Sequence, residues 1–177
     1  MPRGQYPPLS PLGKQAQILL DAARKHREGE TCILAHSQGC VVAALAQAPN
    51  VTKTVFLAPQ IDNSIENVLA YFRKNPRTHI DISGVSRLAR RDGTFTVVPR
   101  EYWEELERLD IPDLFSAHTH EHPTLVVKAA QDEVVDNAGF DELFRNLETV
   151  TLPATHDFTG SAREALVALC QEFFIGA

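Results

Sequence analysis

Short apolar runs alternate with helical patterns along most of this chain, and this alternation restricts the possible fold more than any other feature. The runs at 31–35, 53–59, 123–130 and 147–153 are too brief for helices and lack polar alternation. Such runs are typical of strands covered on both faces. Helices are predicted around them, at 12–29, 38–48, 137–146 and 162–174. The sequence therefore predicts an α/β fold with helices on both sides of a parallel sheet.

The segment 61–122 interrupts this rhythm. It contains a predicted helix at 64–74, a hairpin turning at Asp92-Gly93, and a helix at 100–109. We interpret residues 1–177 as a single domain and 61–122 as an insertion between two of its strands. The last predicted helix begins with Ser161 and Glu164 at the spacing of a capping box.

Composition narrows the class of protein. The chain has 177 residues, 44% of them hydrophobic, which suits one domain with a single core. A net charge of −6 without a concentrated basic face argues against nucleic acid as a partner. The N-terminal stretch lacks the apolar core of a signal peptide, and no apolar run approaches the length of a membrane span. The cysteines, Cys32, Cys40 and Cys170, are odd in number and widely spaced, as expected of free thiols in a cytoplasmic protein.

Three residues with acyl-transfer chemistry follow predicted strands. Ser37 follows the strand at 31–35, Asp132 follows the strand at 123–130, and His156 follows the strand at 147–153. In a parallel sheet the carboxyl ends of the strands lie on one edge, so these side chains can converge. A histidine can take the proton of a serine hydroxyl, and a carboxylate can orient the histidine and stabilise its charged form. The pattern predicts a Ser-Asp-His triad.

The stretch "AHSQG" favours a sharp strand-to-helix turn at the serine. Ala35 and Gly39 supply small residues two positions either side of Ser37, where we expect the backbone to be tightly packed. The N–H of Gln38, at the start of the following helix, would be one oxyanion donor.

These motifs resemble those of the α/β-hydrolase superfamily. "AHSQG" resembles its nucleophile elbow, "AAQDEVVD" its acid loop and "PATHDF" its histidine loop, in the same order along the chain. The resemblance covers nearly the whole chain and implies a three-layer α/β sandwich. It also implies that Ser37 is the nucleophile, Asp132 the acid and His156 the base, and that 61–122 is a lid shaping the pocket.

The sequence departs from the family pattern in two ways. Ala35 replaces the first glycine of the elbow, and only about thirty residues precede the strand at 31–35, where the family has several more strands. The loop that gives the second oxyanion N–H would lie upstream of Met1. We therefore expect a sheet lacking the N-terminal strands, either as a fragment of a longer product or as a minimal variant. An exposed edge of this kind invites a homodimer.

Several residues near the triad have alternative roles. Asp136 is the alternative candidate for the acid, although a role as helix N-cap is the simpler interpretation. We interpret Asp157 as a loop residue or local cap. His36 should line or support the pocket, because adjacent strand residues point to opposite sides. Gln60, after the strand at 53–59, is a candidate for substrate binding.

The run "SAHTHEHP" contains His118, His120 and His122 and is the main competing motif. Alternating histidines on an extended segment can bind zinc or copper. The run precedes the strand at 123–130, however, so it lies at the opposite edge from the triad, and we interpret it as a solvated loop without a physiological metal.

The leading hypothesis is a carboxylesterase-like serine hydrolase acting on a small-molecule ester, thioester or amide without a cofactor. The alternative is a catalytically impaired or fragmentary α/β-hydrolase relative that acts as a binding or interaction module. A metal binder using the histidine run is a third, remote hypothesis.

Overall fold

The computed structural model describes residues 8–25, 29–90 and 92–176. The first part of the chain forms α1 (Leu12–Lys25), β1 (Thr31–His36), α2 (Gln38–Ala46) and β2 (Val51–Leu57). The inserted segment forms α3 (Ile65–Arg73), β3 (Val85–Ala89), β4 (Phe95–Pro99), α4 (Arg100–Arg108) and α5 (Ile111–Glu121). The last part forms β5 (Thr124–Ala129), α6 (Phe140–Leu143), β6 (Glu148–Leu152) and α7 (Ser161–Ile175).

The main sheet is parallel throughout, with the order β1-β2-β5-β6. Alternate residues of its strands enter two separate clusters of buried side chains. Phe56 and Val126 face the cluster that includes α1, α2 and α5, whereas Val55 and Val127 face the cluster that includes α7. The predicted three-layer α/β architecture is therefore confirmed.

The inserted segment has the predicted helix, hairpin and helix. Ser64 caps α3 by accepting a hydrogen bond from the N–H of Asn67. β3 and β4 pair antiparallel as a separate two-stranded sheet, and Gly93 takes a φ of 85° in the turn between them. A positive φ of this size favours glycine, as the Asp-Gly dipeptide indicated.

The structure corrects the interpretation of the histidine run. Residues 111–121 form the helix α5, with Asp110 as its N-cap and Pro112 in its first turn. The side chains of Ile111, Phe115 and His118 fall on its buried face. The prediction of a loop was wrong because alternating histidines alone do not distinguish an extended segment from a helix. The spacing of these three buried residues is helical.

Two other local predictions were wrong. The helix predicted at 137–146 is only the four-residue α6. Ser161 does not cap α7, because the helix begins at Ser161 itself and Gly160 occupies the N-cap position with φ 65°. The capping-box spacing of Ser161 and Glu164 is therefore not used.

β1 forms an open edge of the main sheet. It pairs with β2 on one side, and none of the described residues pairs with its other side. Leu34 lies beside Val55 in the register, yet Leu34 is 55% exposed and Val55 is fully buried. The layer containing α7 thus covers β2 and leaves β1 uncovered.

Candidate active site

Ser37 occupies a strained turn between β1 and α2. Its φ is 56° and its ψ is −128°, a conformation that costs a non-glycine residue about 1–3 kcal/mol. The N–H of Ser37 donates to the carbonyl of Leu57 at 2.8 Å, which ties the turn to β2. The helix α2 begins at the next residue, Gln38. The sharp turn predicted at "AHSQG" is therefore present, and Ser37 lines a cavity.

His156 and Asp132 form a hydrogen-bonded pair. The Nδ1 atom of His156 lies 2.9 Å from Oδ2 and 3.1 Å from Oδ1 of Asp132. Since a carboxylate accepts, Nδ1 carries the proton, which leaves Nε2 of the neutral ring as a base. His156 lines the same cavity as Ser37.

The Asp132 carboxylate is held in its ionised form. Burial opposes ionisation, but hydrogen bonds from His156 and from the N–H groups of Val135 and Val134 outweigh it, so the pKa of Asp132 lies below its usual value. Both backbone N–H groups donate to Oδ1 at 2.8 Å. The loop after β5 thus prepares a charged acceptor for the histidine.

Two further contacts fix the loop that carries His156. The Nε2 atom of His36 donates to the carbonyl of His156 at 2.8 Å, and the two rings lie 4.6 Å apart. The N–H of His156 donates to the Glu133 carboxylate at 3.1 Å. His36 therefore contacts the loop that carries His156. No pattern in the sequence indicates this role of Glu133.

The ring of His36 takes up a proton less readily than the ring of a free histidine. Its pKa is lowered by burial, an effect that the hydrogen bond to the His156 carbonyl partly offsets. A neutral His36 with its proton on Nε2 retains the donor that holds this carbonyl.

The cavity beside Ser37 has a volume of about 530 Å³. Its floor includes Ser37, Gln38, Gln60 and His156, and its walls come largely from the inserted segment. Gln60 is 8% exposed and its amide donates to the carbonyl of Asp62 at 3.0 Å. This volume is in the range of small-molecule sites.

The structure separates the two candidate acids. Asp136 is exposed, and its carboxylate accepts from the N–H of Ala138 at 2.9 Å, a local loop contact. Asp157 is also exposed. Only Asp132, among the described acids, makes a side-chain hydrogen bond to the ring of His156.

The surroundings of Ser37 differ from prediction at Gly39. A Cβ atom added at Gly39 would meet nothing within 4 Å, so the tight packing expected there is absent from the described part of the chain. The hydroxyl of Ser37 makes no hydrogen bond to any described residue. Such contacts are often long in a free enzyme and tighten when substrate binds.

The histidines of α5 have structural roles. His118 Nε2 lies 3.0 Å from the hydroxyl of Thr54, and His122 Nδ1 donates to the carbonyl of Val51 at 3.0 Å. Both rings are buried, whereas His120 is exposed. In the described ranges, no group of three or more His, Cys, Asp or Glu side chains is arranged to hold a metal ion.

Comparison with known proteins gives a fold and no close relative. No protein-family model matches the sequence, and no curated protein matches it. The esterase domain of a Rhodothermus marinus protein is 20% identical, with a TM-score of 0.66 over 94% of this chain and 67% of that one. Est1E from Butyrivibrio proteoclasticus is 20% identical, with a TM-score of 0.68 over 94% and 70%. The α/β hydrolase GrgF from Penicillium sp. sh18 is 15% identical, with a TM-score of 0.67 over 97% and 73%.

This chain therefore has the α/β-hydrolase fold. The resemblance inferred from "AHSQG", the acid loop and the histidine loop is confirmed at the level of the fold, which is what identities this low establish. None of the helices in the described ranges has the length and apolar character that a membrane crossing requires.

Proposed function

We propose that this chain is a serine hydrolase that cleaves a carboxylic ester, thioester or small amide through an acyl-enzyme. Ser37 is the nucleophile, His156 the general base and Asp132 the acid that orients it. The observation that carries the proposal is that the strained turn of Ser37 opens on the cavity lined by His156, whose Nδ1 is hydrogen-bonded to Asp132.

Acylation begins when the hydroxyl oxygen of Ser37 attacks the acyl carbon and His156 Nε2 takes the hydroxyl proton. Asp132 stabilises the resulting imidazolium through Nδ1. The N–H of Gln38, at the positive end of the α2 dipole, donates to the oxyanion. His156 returns the proton to the leaving alcohol, thiol or amine. Water then attacks the acyl-enzyme with His156 again as base, releasing the acid and restoring Ser37.

The substrate is a small molecule with an acyl group that fits the cavity, and Gln60 and His36 lie beside it. The proposed mechanism uses no cofactor. We place the protein in the cytoplasm, a proposal supported by the unpaired state of Cys32, Cys40 and Cys170.

A second candidate function is a binding module with little or no catalysis. It is favoured by the oxyanion site, where we assign only the Gln38 N–H among the described residues. Loss of one oxyanion donor typically lowers a rate by roughly 100- to 1,000-fold. Under this alternative the triad geometry persists while the turnover is poor.

Hydrolysis of a series of para-nitrophenyl esters by the wild-type chain and by Ser37→Ala tests the proposal. We expect the wild-type rate to exceed the background and the Ser37→Ala rate to equal it, with unchanged circular dichroism. A folded wild-type protein that hydrolyses none of the esters, yet binds them, would favour the binding module.

A further inference from the structure

Asp62 orients two amide side chains at the cavity that holds Ser37. Gln60 and Asn67 line this cavity together with Asp62. The Nε2 atom of Gln60 donates to the main-chain carbonyl of Asp62 at 3.0 Å, and the Nδ2 atom of Asn67 donates to Oδ2 of its carboxylate at 2.9 Å. Because neither acceptor carries a proton, the NH₂ group of each amide must face Asp62. The two amide oxygens therefore point away from these contacts and are left as acceptors.

The amide oxygen of Gln60 is an unused acceptor on a buried side chain. Gln60 is 8% exposed, and its Oε1 atom accepts no hydrogen bond from the described residues. This atom is not closed off from solvent, so it opens onto the cavity that Gln60 lines. A molecule that enters the cavity can therefore reach it. An oxygen of this kind calls for a hydrogen-bond donor in the ligand, because an amide oxygen only accepts.

The charges around the cavity favour a cationic donor over a neutral one. Among the described residues that line it, the carboxylates are those of Asp62, Asp92, Asp136 and Asp157, and the guanidinium is that of Arg90. Four negative side chains against one positive side chain attract a cation and repel an anion.

A primary ammonium group matches the oxygens around Asp62. It carries a positive charge and three N–H donors. The site offers the Asp62 carboxylate and the amide oxygens of Gln60 and Asn67, and the Asn67 oxygen also accepts no hydrogen bond from a described residue. The Asp62 carboxylate is held in place by the N–H of Ser64 at 2.8 Å and by Asn67, yet each of its oxygens can accept a further hydrogen bond.

We propose that Gln60, Asp62 and Asn67 form a specificity site that binds a primary ammonium group of the substrate. The substrate class is thus an ester, thioester or small amide that carries an amine, rather than an uncharged one. This inference rests on the proposed hydrolase function for its place in a reaction, but the recognition step is independent of catalysis.

Binding is tested by calorimetry on the wild-type chain with alkylammonium ions of graded length, each compared with the alcohol of equal length. We expect one ammonium ion to bind about 10- to 100-fold more tightly than its alcohol, because its hydrogen bonds are charge-assisted. The N-trimethyl derivative of this ion keeps the charge but has no N–H donor, so it should lose most of the advantage.

Two variants test the residues of the site. Asp62→Asn removes the charge, and Gln60→Met removes the amide oxygen with a side chain of similar length. Each should lower the advantage of the ammonium ion over the alcohol by about 5- to 10-fold. Asp113→Asn is the matched control, since Asp113 is an exposed carboxylate of α5 outside the lining of the cavity, and it should leave the advantage unchanged.

The kinetic test uses ethyl esters of ω-amino acids and ω-aminoalkyl acetates, each paired with the uncharged ester of equal length. We expect one amine-bearing ester to exceed its uncharged counterpart in kcat/KM by about 10- to 100-fold, with the difference reduced in Asp62→Asn mainly through KM.

The outcomes separate the two proposals. Selective binding of an ammonium ion, with no hydrolysis of any ester by the folded wild type, would overturn the hydrolase and support the recognition role. Equal binding of every ammonium ion and its alcohol would overturn the recognition role whatever the activity. An advantage that persists in both Asp62→Asn and Gln60→Met, or in the N-trimethyl derivative, would overturn the assignment to these oxygens.

Discussion

His156 Nδ1 contacts both carboxylate oxygens of Asp132, at 2.9 and 3.1 Å, while the same carboxylate accepts two backbone N–H groups from its own loop. The backbone of its own loop thereby holds the Asp132 carboxylate in place independently of the histidine. This arrangement leaves the ring no freedom to present the other tautomer without losing the contact.

Replacing the acid should remove most of the activity. Asp132→Asn offers an amide in place of the carboxylate, which favours the wrong histidine tautomer and no longer stabilises the imidazolium. We expect kcat for an ester to fall roughly 10³- to 10⁴-fold. Asp136→Asn is the matched control, since the Asp136 carboxylate contacts only its own loop in the described structure. Equal losses in the two variants would contradict the assignment.

His36 should act as a positioning residue for the base. His36→Phe keeps a ring beside His156 but removes the donor to its carbonyl, so the histidine loop becomes less well fixed. We expect kcat to fall about 10-fold with little change in KM. His36→Gln can restore a donor and should recover part of the rate. A loss confined to KM, without rescue by glutamine, would instead indicate a substrate contact.

Acid should destabilise the fold through His118. Burial, and to a lesser degree the neighbouring His122, lowers the pKa of His118 from 6.5 to about 4. The unfolded chain therefore binds a proton as the pH falls below 6.5, and the folded chain does not until about 4. The free energy of unfolding should drop by roughly 3 kcal/mol over this window.

Urea titrations at several pH values check this expectation. His118→Gln removes the titrating group and keeps an amide near Thr54, so its stability should depend less on pH over the same window. His120→Gln is the control, because His120 is exposed on the same helix. The His120→Gln control should retain the wild-type pH dependence. If His118→Gln retains it too, His118 is not the responsible group.

The open edge of the sheet predicts self-association. β1 contains no lysine or proline, and its own Leu34 is exposed. An uncharged edge strand of this kind favours pairing with another copy. We expect a homodimer by sedimentation velocity, and a monomer for Leu34→Lys. Val85→Lys changes an exposed valine of the hairpin and should stay dimeric. A monomeric wild-type chain over the whole concentration range would exclude this dimer.

The sequence predicted the parallel sheet and the loops that carry Ser37, Asp132 and His156, because the signals for these loops are local and repeated. Each apolar run ends next to a residue with distinct chemistry, so the parallel topology alone brings Ser37, Asp132 and His156 to one edge. The contact from Glu133 to the histidine loop depends on the spacing of two loops, which no pattern in either loop encodes.

The errors have equally local causes. The α5 helix was not predicted because alternating histidines are also compatible with an extended segment. Asp110, Pro112 and the helical spacing of Ile111 and Phe115 are the features that indicate the helix. At α7, Gly160 with φ 65° makes the turn that Ser161 was predicted to make by capping. The buried partners of His118 and His122 lie on β2, more than sixty positions earlier, and only the folded chain brings them together.

The most direct test of the central claim is intact mass after incubation with a fluorophosphonate. We expect one adduct on the wild-type chain and one on Ser161→Ala, which replaces an exposed serine at the start of α7, and none on Ser37→Ala. A folded wild-type protein that takes no adduct, or an adduct that persists in Ser37→Ala, would contradict Ser37 as the activated nucleophile.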